Sequence, residues 1–191
     1  MRTTKAIETI AHHEAGHAVV AHFQRIKVKQ VTLLLDVERG ILGYTHTGGA
    51  PKWVGRDPSD RVRMDVERYI VMCFAGELAE ARFCGEHPKW GMESDDERAI
   101  EISLNICGNE EIAGAFRHYC WCLSRALVAQ HWREIETLTT ALLERKTLNA
   151  SDVSEIIVPG IAALKAGLSG ASKQLKRKEA QRSPTASERR Q

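Results

Sequence analysis

His13-Glu14-Ala15-Gly16-His17 constrains this chain more than any other stretch. It fits H-E-x-x-H, and on a helix positions i and i+4 stand one above the other on the same face. Two imidazoles so placed can bind one Zn²⁺, and the Glu between them can reach a water on that metal. Zinc brings the pKa of such a water to about 7, which suits the hydrolysis of an amide at neutral pH. A helix that only displays His and Glu to solvent would need no apolar companions. Here Ile7, Ile10, Ala11, Ala18, Val19 and Val20 give the segment a helical apolar pattern, with Thr3 or Thr4 as its N-cap.

The rest of the chain predicts a mostly α (α+β) domain. Helix one runs from about Thr4 to Phe23. Ile26 to Leu35 and Ile41 to Thr47 read as two strands across a turn, forming a small antiparallel sheet beside the motif helix. Gly48 to Asp60 is a loop, either a gate to a groove or a plain connector. Ser59 or Asp60 to Cys84 reads as one helix. Ser94 starts another through about Ile106, and its first-turn acids Asp95, Asp96 and Glu97 suit the helix dipole. Glu110 to Arg145 is one long helix or two abutting ones. Asn149 or Ser151 caps a short last helix that ends before Pro159.

Five cysteines, Cys73, Cys84, Cys107, Cys120 and Cys122, lack zinc-ribbon spacing and read as reduced thiols. The formal charge of +2 hides an asymmetry: residues 173–191 carry a net +5 and the remainder −3. That basic, apolar-poor stretch belongs to a disordered tail over 169–191, beyond a domain of 1–168. No aromatics interleave with its charges, so nucleic acid is not the expected partner. No apolar run is long enough to span a membrane and no secretory segment opens the chain, so a cytoplasmic protein is expected.

A catalytic zinc normally has three protein ligands and a water. After His13 and His17 the residues alone leave Glu77, Glu80 and the cluster Asp95, Asp96 and Glu97 open as the third.

The stretch from His12 through Val20 resembles the zinc-protease domain of the FtsH family, the M41 peptidases, which typically read H-E-A-G-H-A there. Gly40 to Thr45 is similar to that family's next segment. Ala75-Gly76-Glu77-Leu78-Ala79-Glu80, with Phe83 and Gly85, resembles its A-G-R-x-A-E…F-G helix. Gly91 to Asp95, with Ala99, resembles its G-A-x-N-D-x-x-x-A stretch. Ala141 to Leu148 resembles its A-L-L-E-x-E-T-L close. The matches keep the family's order over roughly residues 5 to 158. They imply a helical zincin-type fold, a zinc metalloendopeptidase acting on polypeptide, and Asp95 as third ligand. Asp96 fits that role only by a one-residue slip that breaks both flanking matches.

The family's ATPase motif G-x-x-x-x-G-K-[ST] is absent from these residues, so ATP-dependent work would require a separate ATPase. Unfolded or extended polypeptide is the substrate expected without one. The resemblance also implies a hexameric ring, although Glu77 stands where the family commonly has Arg. Two rival readings are a zinc-stabilised interaction or adaptor module, which needs no Glu14, and a regulatory protease with one narrow substrate. Within the peptidase reading Glu14 is the general base. Glu80 is a candidate to orient a ligating His, and Tyr44 and His46 are candidates to stabilise an oxyanion.

Overall fold

The computed structural model describes residues 2–33, 43–48, 59–86 and 94–158, without the side chains of 2–4 and 94–96. The expected tail, its boundary at 168 and most of the expected gate loop lie outside the described residues. The described residues of Met1–Ile157 form one compact unit. No described helix is long and apolar enough to cross a membrane.

Seven helices and three strands follow one another among the described residues: α1 (Arg2–Phe23), β1 (Val28–Thr32), β2 (Tyr44–Thr47), α2 (Asp60–Cys73), α3 (Ala75–Cys84), α4 (Ser94–Cys107), α5 (Glu110–Gln130), α6 (Trp132–Arg145), β3 (Thr147–Asn149) and α7 (Ala150–Ile157). The fold is mostly helical with a small antiparallel sheet, as the sequence pattern predicts.

Helix α1 is the central element. Ala11, Ala15, Ala18 and Val19 are fully buried, and α3 and α6 pack along it. Small residues let the backbones approach closely. A Cβ on Gly16 would stand 2.5 Å from the Ala75 carbonyl oxygen and 2.7 Å from the Ala79 Cβ. That crossing brings the start of α3 against the histidine face of α1. The helix begins at Arg2, so Thr3 and Thr4 fall inside its first turn rather than at its cap. It ends in a Schellman motif with Arg25 at φ 60°. There Arg25 N–H donates to the His22 carbonyl and Ile26 N–H to that of Ala21. The chain then reverses into β1.

Strand β1 lies between β2 and β3, antiparallel to both. Val31 faces Thr45 on one side and Leu148 on the other, and both Val31 and Leu148 are fully buried. Val28 opposes Thr47 and Gln30 opposes His46, so Lys29 is the extra residue of a β-bulge. Strand β3 is the element that the sequence pattern conceals. Lys146, at φ 63°, ends α6 and turns the chain into three residues that pair with β1.

The pattern over 60–84 predicts one helix, but the structure has two, broken at Phe74. Continuous apolar periodicity across 60–84 cannot reveal such a break. Likewise 110–145 divides at His131 into the abutting α5 and α6. Asn149 caps α7, its Oδ1 accepting from the N–H of Ser151 and Asp152, while Asp152 Oδ2 accepts from Asn149 N–H. The five cysteines are thiols, in keeping with their spacing; Cys73 and Cys120 are buried.

Candidate metal centre

Helical periodicity places His13 and His17 on one face of α1, and tertiary contacts fix both rings. His13 Nδ1 lies 3.2 Å from Glu80 Oε2 on α3, and His17 Nδ1 lies 2.9 Å from the Met72 carbonyl oxygen. Met72 sits in the closing turn of α2; its carbonyl accepts from the capping backbone N–H and has a second lone pair for His17.

These partners assign the tautomers. A neutral ring that donates from Nδ1 presents a lone pair at Nε2. The two Nε2 atoms converge to 3.0 Å. Two lone pairs at that separation repel unless a proton or a cation lies between them. Zinc–nitrogen bonds of about 2.0–2.1 Å at a tetrahedral angle set two nitrogens about 3.3 Å apart. The pair therefore fits a shared zinc with a small adjustment.

Gly76 roofs this pair. A Cβ at that position would meet His17 Nε2 at 2.3 Å and His13 Nε2 at 2.6 Å, so only glycine leaves both nitrogens in place. The local sequence carries a signal for this: a glycine inside an apolar helical run costs stability relative to alanine and points to a close approach.

Glu14 is buried on the adjoining face of α1. Thr45 Oγ1 lies 2.6 Å from Glu14 Oε2 and 3.0 Å from the Glu14 carbonyl oxygen, tying β2 to the motif helix. A Cβ on Gly43 would come within 2.7 Å of Glu14 Cγ. The carboxylate is thus clasped between α1 and the entry to β2. Sequence reasoning misses Thr45 and Gly43 because nothing in their spacing relates them to a residue about thirty positions earlier.

Glu80 reaches Nδ1 of His13, the nitrogen turned away from the shared side, so it orients that ring rather than sharing a metal with it. Glu97 is exposed in α4. Asp95 and Asp96 lie in the first turn of α4, and their side chains are outside the described residues. Among the described residues no group of three or more His, Cys, Asp or Glu gathers to hold a metal.

A cavity of about 320 Å³ opens beside the histidine pair, lined by His17, Tyr44, His46, Tyr69, Met72 and Arg98 among others. Arg98 lies three residues beyond Asp95, so the early part of α4 borders the same space as His17. Both oxyanion candidates, Tyr44 and His46, face it from β2.

No family model matches the chain. It is 24% identical over 176 residues, 78% of its length, to the ATP-dependent zinc metalloprotease FTSH 11, chloroplastic/mitochondrial, of Arabidopsis thaliana. It spans only 21% of that protein. The similarity is a distant relationship to an FtsH-type zinc metalloprotease.

Proposed function

We propose that this chain is a zinc metalloendopeptidase acting on unfolded or extended polypeptide. The observation that carries the reading is the approach of the two Nε2 atoms to 3.0 Å while both Nδ1 atoms are engaged elsewhere. His13 and His17 would hold the metal, with Asp95 as the third ligand. Bound there, zinc would supply Lewis acidity and a water of lowered pKa.

The chain's own residues do the rest. Glu14 accepts the proton of the attacking water and passes it to the nitrogen of the breaking peptide bond, so the amine leaves neutral. Thr45 holds that carboxylate in place through its hydroxyl. Glu80 and the Met72 carbonyl keep each imidazole in the tautomer that presents Nε2. Among the described residues β2 is an edge strand, with β1 on one side only. An extended peptide adding to it would be held by main-chain hydrogen bonds, which tolerate many sequences. A separate ATPase would be needed for folded substrates.

Bound zinc and casein cleavage, measured together without ATP on wild type, Glu14→Gln and Asp95→Ala, test the reading. Zinc near one per chain, with cleavage present in wild type and lost in both variants, is expected. Full cleavage by Glu14→Gln removes the general base from the mechanism. Zinc bound without any cleavage turns the reading toward an interaction module or a protease of one narrow substrate. No zinc at all overturns it.

A further inference from the structure

The cavity beside His17 carries two cations. Lys29 enters it from β1 and Arg98 from α4. The bulge explains why Lys29 is there. An extra residue between the Val28–Thr47 and Gln30–His46 pairs breaks the strict alternation of the strand, and such bulges re-aim a side chain. The Lys29 ammonium lies 3.5 Å from His46 Nε2, within the same space. Arg98 engages Glu101 through one nitrogen, Nη1, at 2.6 Å. The guanidinium has five N–H donors in a fork, so it can bind a further carboxylate. Tyr69 and Met72 supply apolar wall. Among the described residues no Asp or Glu lines the cavity.

A side pocket with two cations, an apolar wall and no lining acid among the described residues is matched to an anionic guest. We infer that this cavity is a specificity pocket for a carboxylate of the substrate, recognised by Lys29 and Arg98 next to the bond to be cleaved. The inference rests on the peptidase reading above and names the substrate class. The carboxylate can belong to an Asp or Glu side chain or to the C-terminus of a chain. Its volume of about 320 Å³ admits one such group with its methylenes and some water.

The test uses zinc-loaded full-length protein and Ala-rich decapeptides with Glu, Gln or Lys beside the cleaved bond. Each peptide is prepared with a free and with an amidated C-terminus. Cleavage rates are measured on wild type, and binding of the same peptides is measured on Glu14→Gln. The Glu peptide should exceed the Gln peptide by about threefold in both readouts, with Lys weakest, because Lys29 and Arg98 offer charge-assisted donors whose exposure to solvent limits the gain. The preference should shrink as salt rises. Lys29→Glu with Arg98→Glu should invert it. Lys29→Gln with Arg98→Gln should flatten it and guards against misfolding of the charge-reversed protein.

A free C-terminus preferred whatever the neighbouring side chain would identify the chain end as the source of the carboxylate. Preference for Glu in the amidated series would identify the side chain. Cleavage that ignores Glu, Gln and Lys alike overturns the inference and leaves the peptidase reading standing. So does a Glu preference that survives the charge reversal. Tight Glu-peptide binding without any cleavage does the opposite: the pocket stands and the peptidase reading falls.

Discussion

Gly76→Ala adds one methyl group at the point where α3 roofs the histidine pair. The added Cβ would stand 2.3 Å from His17 Nε2 and 2.6 Å from His13 Nε2. Ordinary contact begins near 3.4 Å, so one ring must retreat by about 1 Å or α3 must lift away. The rings have little freedom to retreat. His17 is held at Nδ1 by the Met72 carbonyl, His13 by Glu80, and Gly16 already presses α1 against Ala75 and Ala79. Overpacking of this kind costs about 1–3 kcal/mol, while alanine for glycine inside a helix returns about 1 kcal/mol. The net change in metal-free stability is therefore small, about 0–2 kcal/mol of loss. Zinc binding should suffer more, because displaced Nε2 atoms no longer share one centre. We expect a 10- to 100-fold weaker zinc affinity, the range seen when the surroundings of a metal ligand are disturbed. Competition against a chromophoric chelator reads the affinity, and thermal melts of the zinc-free protein read the fold. A Gly76→Ala protein that binds zinc like wild type and melts higher would refute the packing argument.

Thr45→Val removes the hydroxyl beside Glu14 Oε2 and leaves a buried carboxylate short of a donor, at a cost of about 1–3 kcal/mol. Peptide cleavage should fall at least tenfold while zinc content holds; loss of zinc in step with activity would count against the separation of roles. Glu80→Ala should weaken zinc binding about 10-fold or more and leave the melting temperature close to wild type, since Glu80 is partly exposed. Unchanged affinity would show that Glu80 does not orient His13. At α7, the Asn149 N–H and the Arg145 guanidinium hold the Asp152 carboxyl below its ordinary pKa. A lowered native pKa stabilises the fold above the unfolded value of about 3.9, and that contribution disappears as pH falls through the native pKa. Asp152→Asn should therefore melt below wild type at pH 7 and converge with it in acid, and a gap that widens toward low pH would contradict the sign.

The relation between sequence and site differs from residue to residue. His13 and His17 are legible because a helix repeats every 3.6 residues, so spacing alone puts them on one face. Of the motif's apolar companions, Ala11, Ala18, Val19 and Val20 are buried as their pattern predicts, and Ile7 and Ile10 are partly buried. The cap of α7 at Asn149 is equally local. The break at Phe74 is not local. Apolar positions continue through it, so the pattern carries no mark of it. Strand β3 escapes detection because three residues carry no period and its pairing partner is more than a hundred positions away.

The amino-acid sequence by itself determined a largely buried helix bearing two histidines and a glutamate at hydrolytic spacing, set in a mostly helical domain. Only the tertiary structure decided what holds those groups. Glu80 and the Met72 carbonyl turn the rings, Thr45 and Gly43 clasp Glu14, Gly76 makes room for both Nε2 atoms, and Lys29 and Arg98 charge the adjoining cavity. The physical reason is one of range. Periodicity encodes which face a residue occupies on its own element, whereas orientation, tautomer and charge environment come from contacts between elements far apart along the chain.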